Sequence, residues 1–215
     1  MEQKVILFDL DGTLTDSGEG IINCVVFALE HFGLPIPPKA ELRSVVGPPL
    51  HDSLARYGVP KQKLDEGVTV FRSRYNPIGI YENVPYPGIR EALEELKQSG
   101  YKLCVATSKP EEFALRIMEH FGLAAYFHRI CGAQGENRAS AQKGSVVADA
   151  LRRSGTDGPA VMVGDRRFDV AGAHENGLPA IGVLYGYGGR EELENAGADY
   201  LAADLHELKQ LLLQE

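Results

Sequence analysis

Short runs of apolar residues recur along the chain and alternate with longer segments in which apolar residues repeat every three or four positions. The short runs are nearly continuous, which is typical of parallel strands that helices cover on both faces. The clearest predicted strands are Val5–Phe8, Leu103–Ala106, Ala160–Val163 and Ala180–Leu184, and weaker candidates are Ile130–Cys131 and Tyr200–Ala202.

The segments between these runs have the periodicity of amphipathic helices. Ile89, Leu93 and Leu96 fall on one face of a predicted helix, which Gly100 can end. Two later segments repeat this spacing before a glycine. Because strands and helices alternate, we predict a doubly wound α/β fold with a Rossmann-like parallel sheet.

One region breaks the alternation. Between about Gly18 and Asn83 the patterns are helical and include no convincing strand. The sequence YENVPYPG then returns the chain to the α/β pattern, and its prolines and glycine are typical of a boundary. We therefore predict an α/β core formed by residues 1–16 and 84–215, with residues 17–83 inserted as a helical cap. In the alternative, these helices pack on the sheet within one domain.

Composition narrows the class of protein. A chain of 215 residues with 44% hydrophobic content can build a core without a disulfide or metal. The formal net charge of −8 argues against a nucleic-acid or anionic-membrane partner, although a small anionic substrate can still find a basic pocket. No apolar stretch approaches membrane-spanning length. We expect a cytoplasmic protein, and leave monomer and homodimer open.

The three cysteines are Cys24, Cys104 and Cys131. Their number is odd, their spacing is long, and no Cys-x-x-Cys motif is present. We interpret them as small buried residues in a reducing compartment.

Polar residues follow several of the predicted strands. Asp9 ends the first, Thr107 and Ser108 end the second, and Asp165 ends another. Ligands of open α/β sheets bind at this edge, outside the carboxyl ends of the strands. Asp9 and Asp11 are two residues apart, so an extended chain directs both carboxylates to one side. A nearby cation would lower the cost of charging both.

Oxygen ligands dominate this predicted edge. Asp165 is followed by Asp169, and no histidine or cysteine motif lies nearby. This composition favours Mg²⁺ over zinc or copper. Gly12 permits a tight turn whose backbone N–H groups could hold an anion. In the alternative, Asp9 and Asp11 are ordinary turn residues.

Candidate phosphate ligands are less specific. Thr107, Ser108 and the following Lys109 could bind a phosphoryl oxygen, but the same residues suit a loop that opens a helix. Lys143 begins a helical pattern, where a lone lysine is usually a solvated surface charge. The glycines near residue 187 are too loosely spaced for a dinucleotide fingerprint, and we interpret them as a loop.

Taken in order, Asp-x-Asp-Gly-Thr, Thr107, Lys143 and the Gly-Asp-x-x-x-Asp motif of residues 164–169 resemble the haloacid dehalogenase-like hydrolase superfamily. DLDGTLTDS, GPPL, YENVPYPGI and IGVLYGYGGREELENAGAD are similar to its phosphoglycolate phosphatase-type branch, which inserts a helical cap after the first strand. The resemblance covers nearly the whole chain. It implies a Mg²⁺-dependent phosphatase of small phosphorylated metabolites, such as phosphoglycolate or a nucleoside monophosphate.

The resemblance also implies roles for single residues. Asp9 would attack phosphorus and form an aspartyl-phosphate. Asp11 would protonate the leaving oxygen and then activate water. Mg²⁺ would be held by Asp9, the backbone carbonyl of Asp11 and the side chain of Asp165, with Asp169 orienting this set.

The phosphoryl oxygens would be held by Thr107, Ser108 and Lys143. Many members of the superfamily have proline after this lysine, where this chain has Gly144, so Lys109 remains the alternative lysine. The cap would select the substrate. Its candidate cations for an acidic leaving group are Arg43, Arg72 and Arg74, although each is more typical of solvated surface.

Two other functions stay open on the sequence. A β-phosphoglucomutase-type sugar phosphomutase would use the same two aspartates and return the phosphoryl group to the sugar. A non-catalytic phosphate-binding module could share the fold, because fold alone does not define function.

Overall fold

The computed structural model describes residues 4–134, 138–155 and 158–213. The chain forms two compact units, one of Met1–Thr15 with Pro85–Glu215 and one of Asp16–Val84. Each crossing between the units lies one residue from the boundary predicted above. We call them the α/β unit and the helical unit.

The strands are β1 (Val5–Phe8), β2 (Thr15–Asp16), β3 (Val84–Pro85), β4 (Lys102–Pro110), β5 (Arg129–Ala133), β6 (Ala160–Gly164), β7 (Ala180–Val183) and β8 (Tyr200–Ala202). Six of them form one sheet in the order β5-β4-β1-β6-β7-β8. All neighbours in this sheet pair in parallel, which confirms the predicted α/β Rossmann-like class. The two-residue strands β2 and β3 pair where the chain crosses between the units.

The α-helices of the helical unit are α1 (Gly18–His31), α2 (Lys39–Leu42), α3 (Leu50–Arg56) and α4 (Leu64–Arg74). Those of the α/β unit are α5 (Ile89–Gln98), α6 (Glu111–His120), α7 (Lys143–Ser154), α8 (Arg167–Glu175), α9 (Arg190–Asn195) and α10 (Leu205–Leu213). Short 3₁₀ turns span Arg43–Val45, Lys61–Lys63, Ala124–Tyr126 and Arg138–Ala141, and a π-helical turn spans Tyr75–Gly79.

The central strand β1 is buried along its whole length. Phe8 pairs with Val105 of β4 on one side and with Val163 of β6 on the other. Helices cover both faces, so an apolar residue is favoured at every position of the strand. This register places the ends of β1, β4 and β6 side by side.

Strand β4 is longer than predicted. The expected strand ended at Ala106, but the structure continues it through Thr107 and Ser108 to Pro110. Its pairing with β5 shifts between Ala106, which pairs with Cys131, and Pro110, which pairs with Ala133. The irregular part of the strand therefore carries the polar residues that were predicted to follow it.

The helical unit is built around α1 and α4. Val25 and Leu29 of α1 and Phe71 of α4 are buried. Close packing also requires Gly20 to lack a side chain, because a Cβ there would collide with the carbonyl oxygen of Gly79. Among the described helices, none has the length and apolar character needed to cross a membrane.

Candidate active site

The carboxyl ends of β1, β4 and β6 bring the predicted polar residues to one edge of the sheet. Asp9 directly follows β1, and Asp165 directly follows β6. The Asp9 backbone N–H donates to the carbonyl oxygen of Val163 at 2.9 Å, which ties the two strand ends together. This is the crevice in which open α/β sheets bind ligands.

Three buried carboxylates meet at this edge. One oxygen atom from each of Asp9, Asp165 and Asp169 lies within 4.8 Å of the other two. Asp169 belongs to the first turn of α8, which begins two residues after Asp165. We call these three residues the acidic trio. The Asp11 carboxylate is not part of it.

Lys143 lies against the acidic trio. It is the first residue of α7, and its Nζ is 2.7 Å from Asp9 Oδ1 and 2.6 Å from Asp169 Oδ1. The same Nζ donates to the carbonyl oxygen of Ala106 at 2.9 Å. Burial alone would lower the pKa of Lys143, but the two carboxylates outweigh it and raise that pKa above its usual value. Lys143 is therefore buried in the site, and the interpretation of it as a solvated surface lysine is wrong.

Lys109 forms an ion pair with Asp11, the second aspartate of the first motif. Its Nζ donates to Asp11 Oδ1 at 2.7 Å, and the two side chains are 7% and 12% exposed. Its backbone N–H donates to Thr107 Oγ1 at 3.3 Å. The half-buried Ser108 lies between Thr107 and Lys109. Each candidate lysine thus contacts a different aspartate of the first motif: Lys143 contacts Asp9, and Lys109 contacts Asp11.

The Asp165 carboxylate is fully buried and held from two sides. Its Oδ2 accepts a hydrogen bond from the backbone N–H of Tyr187 at 2.7 Å, and its Oδ1 accepts one from Thr13 Oγ1 at 3.5 Å. No role for Tyr187 or Thr13 was predicted from the sequence. The glycines around residue 187 were the available signal, but we interpreted them only as a loop.

The turn after β1 uses several of its own backbone N–H groups. Gly12 has φ of +87°, as a tight turn requires. Its N–H donates to the carbonyl oxygen of Thr15 at 2.8 Å, and the N–H groups of Thr13 and Leu14 donate to that of Leu10. These three N–H groups are occupied by the turn itself and are therefore not free to hold an anion.

Asp169 is fixed from both of its oxygens. While Oδ1 contacts Lys143, Oδ2 accepts a hydrogen bond from the backbone N–H of Arg166 at 2.9 Å, which caps α8. The side chain of Arg166 in turn pairs with Glu192 of α9 at 2.9 Å. Asp169 is therefore suited to orient its neighbours.

Burial dominates the electrostatics of the acidic trio. It raises the pKa of Asp9 to about 6, although Lys143 acts in the opposite direction. Burial, followed by the charges of Asp169 and Asp9, raises the pKa of Asp165 well above its usual value. Three carboxyl groups face one ammonium group, so burial and mutual repulsion oppose charging all three without a further cation. A hard divalent cation with oxygen ligands fits this donor set, and Mg²⁺ is such a cation.

Arg74, one of the candidate cations of the helical unit, is already paired with Glu82. Arg74 donates from Nη1 and Nη2 to the two carboxylate oxygens of Glu82 at 2.7 and 2.9 Å, and Nη1 also contacts Cys24 Sγ at 3.4 Å. The side chain is about one-fifth exposed. Arg74 is therefore neither a solvated surface charge nor available to a leaving group without breaking this pair.

A parallel α/β sheet with an acidic site at its carboxyl edge is shared by a known class of hydrolases. The model of the haloacid dehalogenase-like hydrolase family matches residues 6–183. The chain belongs to this family. A phosphoglycolate phosphatase of Caulobacter vibrioides is 32% identical over 202 residues, covering 90% of this chain and 84% of that protein, in agreement with the predicted branch.

Other relatives have different names. A 5'-nucleotidase of Pseudomonas aeruginosa is 40% identical over 96% of this chain and 94% of its own length. The tyrosine-protein kinase PtkA of Mycobacterium tuberculosis is 36% identical over 97% of this chain and 72% of its own length. The crystal structure of a predicted phosphatase from Clostridium acetobutylicum is 40% identical and has a TM-score of 0.92 over the full length of both chains.

Proposed function

We propose that the protein is a Mg²⁺-dependent phosphatase that hydrolyses a small phosphate monoester through an aspartyl-phosphate on Asp9. The acidic trio carries this proposal, because three buried carboxylates within 4.8 Å of one another suit a divalent cation beside a nucleophile. The enzyme class itself, a phosphoric monoester hydrolase, is confirmed by the family and by relatives named for such hydrolysis.

The contact with Lys143 supports Asp9 as the nucleophile. Its Oδ1 is paired with Lys143, so the other oxygen, Oδ2, is the one that attacks phosphorus. The new bond joins Oδ2 to phosphorus, and the bond from phosphorus to the ester oxygen breaks. Lys143 also favours the charged form of Asp9, which the attack requires.

The proton transfers of this reaction are assigned to Asp11. Asp11 protonates the departing alkoxide and then takes a proton from the water that cleaves the aspartyl-phosphate, releasing inorganic phosphate and restoring Asp9. The hydrogen bond from Lys109 fixes one of its oxygens and leaves Oδ2 for this exchange. Lys109 therefore acts on Asp11, while Lys143 acts on Asp9.

The end of β4 supplies the phosphate contacts. Thr107 and Ser108 lie in the irregular part of that strand, and Lys143 reaches the carbonyl oxygen of the preceding Ala106. The hydroxyl groups suit hydrogen bonds to the equatorial oxygens of a phosphoryl group, and the ammonium group, whose three N–H groups contact Asp9, Asp169 and Ala106, contributes positive charge.

Asp9, Asp165 and the backbone carbonyl of Asp11 would hold the Mg²⁺ ion, and Asp169 would orient this set through Lys143 and the Arg166 N–H. When bound, Mg²⁺ supplies positive charge that offsets repulsion between the attacking carboxylate and the phosphate dianion.

The substrate is proposed to be phosphoglycolate-like or a nucleoside monophosphate, and the inserted helical unit is proposed to select it. The names of the Pseudomonas and Caulobacter relatives support small monoesters of these kinds. The helical unit is compact by itself, as a separate selecting element requires.

A phosphate-release screen across small metabolite monoesters, with MgCl₂ and with EDTA, tests the proposal. We expect release from at least one monoester with Mg²⁺ and only background release in EDTA. Interconversion of hexose monophosphates that needs a bisphosphate primer and frees little phosphate would identify a phosphomutase instead. Phosphate binding without turnover of any ester would identify a non-catalytic module.

A further inference from the structure

The residues directly after β7 reach across the sheet edge to two other strand ends. Tyr185 and Tyr187 belong to Tyr185–Gly189, which we call the 185–189 segment. Tyr187 donates its backbone N–H to Asp165 after β6, and the Tyr185 hydroxyl donates to the carbonyl oxygen of Thr13 after β1 at 3.1 Å. Because β6 lies between β7 and β1, the segment spans the end of β6.

Two glycines let the backbone of this segment approach the site. A Cβ at Gly188 would collide with the backbone carbonyl oxygen of Asp165. A Cβ at Gly186 would collide with Asp165 Cβ and with the carbonyl oxygen of Gly12. By contrast, a Cβ at Gly189 would meet no atom within 4 Å. The absence of side chains is therefore needed at two glycines of the cluster and not at the third.

The tyrosine rings complete the contact. A Cβ at Gly12 would lie 2.7 Å from Tyr187 Cδ2, so the ring of Tyr187 lies against the turn after β1. Tyr185 is anchored by the ring of Tyr86, with centroids 4.9 Å apart in an edge-to-face arrangement. The 185–189 segment thus contacts both halves of the site, the β1 turn and Asp165.

We propose that the 185–189 segment is a positioning element that holds the Asp165 carboxylate against the β1 turn. It thereby sets the affinity of the site for Mg²⁺. The inference rests on the proposed function, because it takes Asp165 as a Mg²⁺ ligand. Groups that orient metal ligands contribute strongly to metal affinity. The N–H of Tyr187 does this for Asp165, and Gly186 and Gly188 allow the backbone to come close enough.

Isothermal titration of MgCl₂ into the metal-free full-length protein tests the role, with Gly188→Ala and Gly189→Ala as a matched pair. We expect Gly188→Ala to weaken Mg²⁺ binding by about tenfold. Gly189 has φ of −85° and ψ of 166° at the N-cap of α9, a conformation that alanine can also adopt. Gly189→Ala should therefore change the Mg²⁺ dissociation constant by less than about twofold. Thermal unfolding in EDTA reports whether each variant folds.

Tyr185→Phe is the milder second variant. It removes only the hydroxyl that donates to Thr13, and we expect a smaller loss of Mg²⁺ affinity, about threefold. If Gly188→Ala does not fold in EDTA, this variant decides. In both variants the Mg²⁺ concentration for half-maximal activity should rise by the same factor as the dissociation constant, with kcat recovering at saturating Mg²⁺.

The outcomes separate the two proposals. Wild-type protein that binds no Mg²⁺ would overturn the proposed function and this inference with it. Wild-type protein that binds Mg²⁺, with folded Gly188→Ala and Tyr185→Phe variants binding it as tightly as Gly189→Ala, would overturn the inference alone.

Discussion

The ammonium group of Lys109 lies 2.7 Å from Oδ1 of Asp11, with both side chains nearly buried. This ion pair joins the end of β4 to the residues after β1. It complements the contact of Lys143 with Asp9, so each aspartate of the first motif has its own lysine. Substituting Lys109 and substituting Lys143 should therefore affect different steps of the reaction.

Lys109→Met should lower kcat/KM by about tenfold or more, because a hydrogen bond between charged groups contributes about 1.5–3 kcal/mol. Lys209→Met is the matched control, since Lys209 contacts Glu95 at the same 2.7 Å but the glutamate is 50% exposed. The control should change kcat/KM by less than about twofold, as exposed pairs contribute little. Steady-state kinetics at saturating Mg²⁺ compares them, and equal values for the two variants would contradict the role of Lys109.

Lys143→Met should abolish activity and destabilise the metal-free protein by about 3 kcal/mol, because Asp9 and Asp169 would remain buried without their ammonium partner. Urea unfolding in EDTA measures the change. Lys97→Met is the control, since Lys97 also donates to a carbonyl oxygen, that of Ala125, but at an exposed position. Similar unfolding free energies for the two variants would show that Lys143 is not essential to the cluster.

The Arg74–Glu82 pair predicts a pH dependence of stability. Hydrogen bonds from Arg74 hold the pKa of Glu82 below its ordinary value of 4.5. The folded-state pKa is thus lower than the unfolded-state one, so the pair stabilises the protein above pH 4.5 and this contribution is lost as pH falls through the folded-state pKa.

Wild-type protein and Glu82→Gln should therefore differ more in unfolding free energy at neutral pH than in acid. Urea unfolding at both pH values measures this difference, with Glu95→Gln as a surface control. A difference that stays constant on acidification would contradict the assignment.

The three cysteines should be unreactive in the folded protein. All are buried and free, and burial raises the pKa of Cys104 to about 11 and that of Cys131 to about 12. Burial also raises the pKa of Cys24. Since the thiolate is the reactive form, an aromatic disulfide reagent should label none before denaturation and all three afterwards. Rapid labelling of one thiol in the native state would refute this.

Strand ends were the part of the site that sequence could predict. β1 was predicted with its observed bounds because a central parallel strand is apolar at every position. That strand and β6 then placed Asp9 and Asp165 at one edge. The buried position of Lys143 was not evident from periodicity, because a lysine at a helix start is usually exposed, and only the family motif indicated it.

Contacts made by irregular backbone could not be predicted. The pair of Lys109 with Asp11 depends on the shifted register of β4, which no hydrophobic pattern encodes. Tyr187 contributes a backbone N–H, a group that almost every residue has, so its side chain gave no indication of this role. The closed turn at Gly12 likewise depends on which carbonyl groups its N–H groups reach.

The most direct measurement of the central claim is phosphate release by Asp9→Asn, using the best substrate of the wild-type protein at saturating Mg²⁺. The amide keeps the size of the side chain but is a poor nucleophile. Release is predicted to fall to background in a variant that is still folded. Release at the wild-type rate would contradict a covalent role for Asp9 and, with it, the proposed reaction.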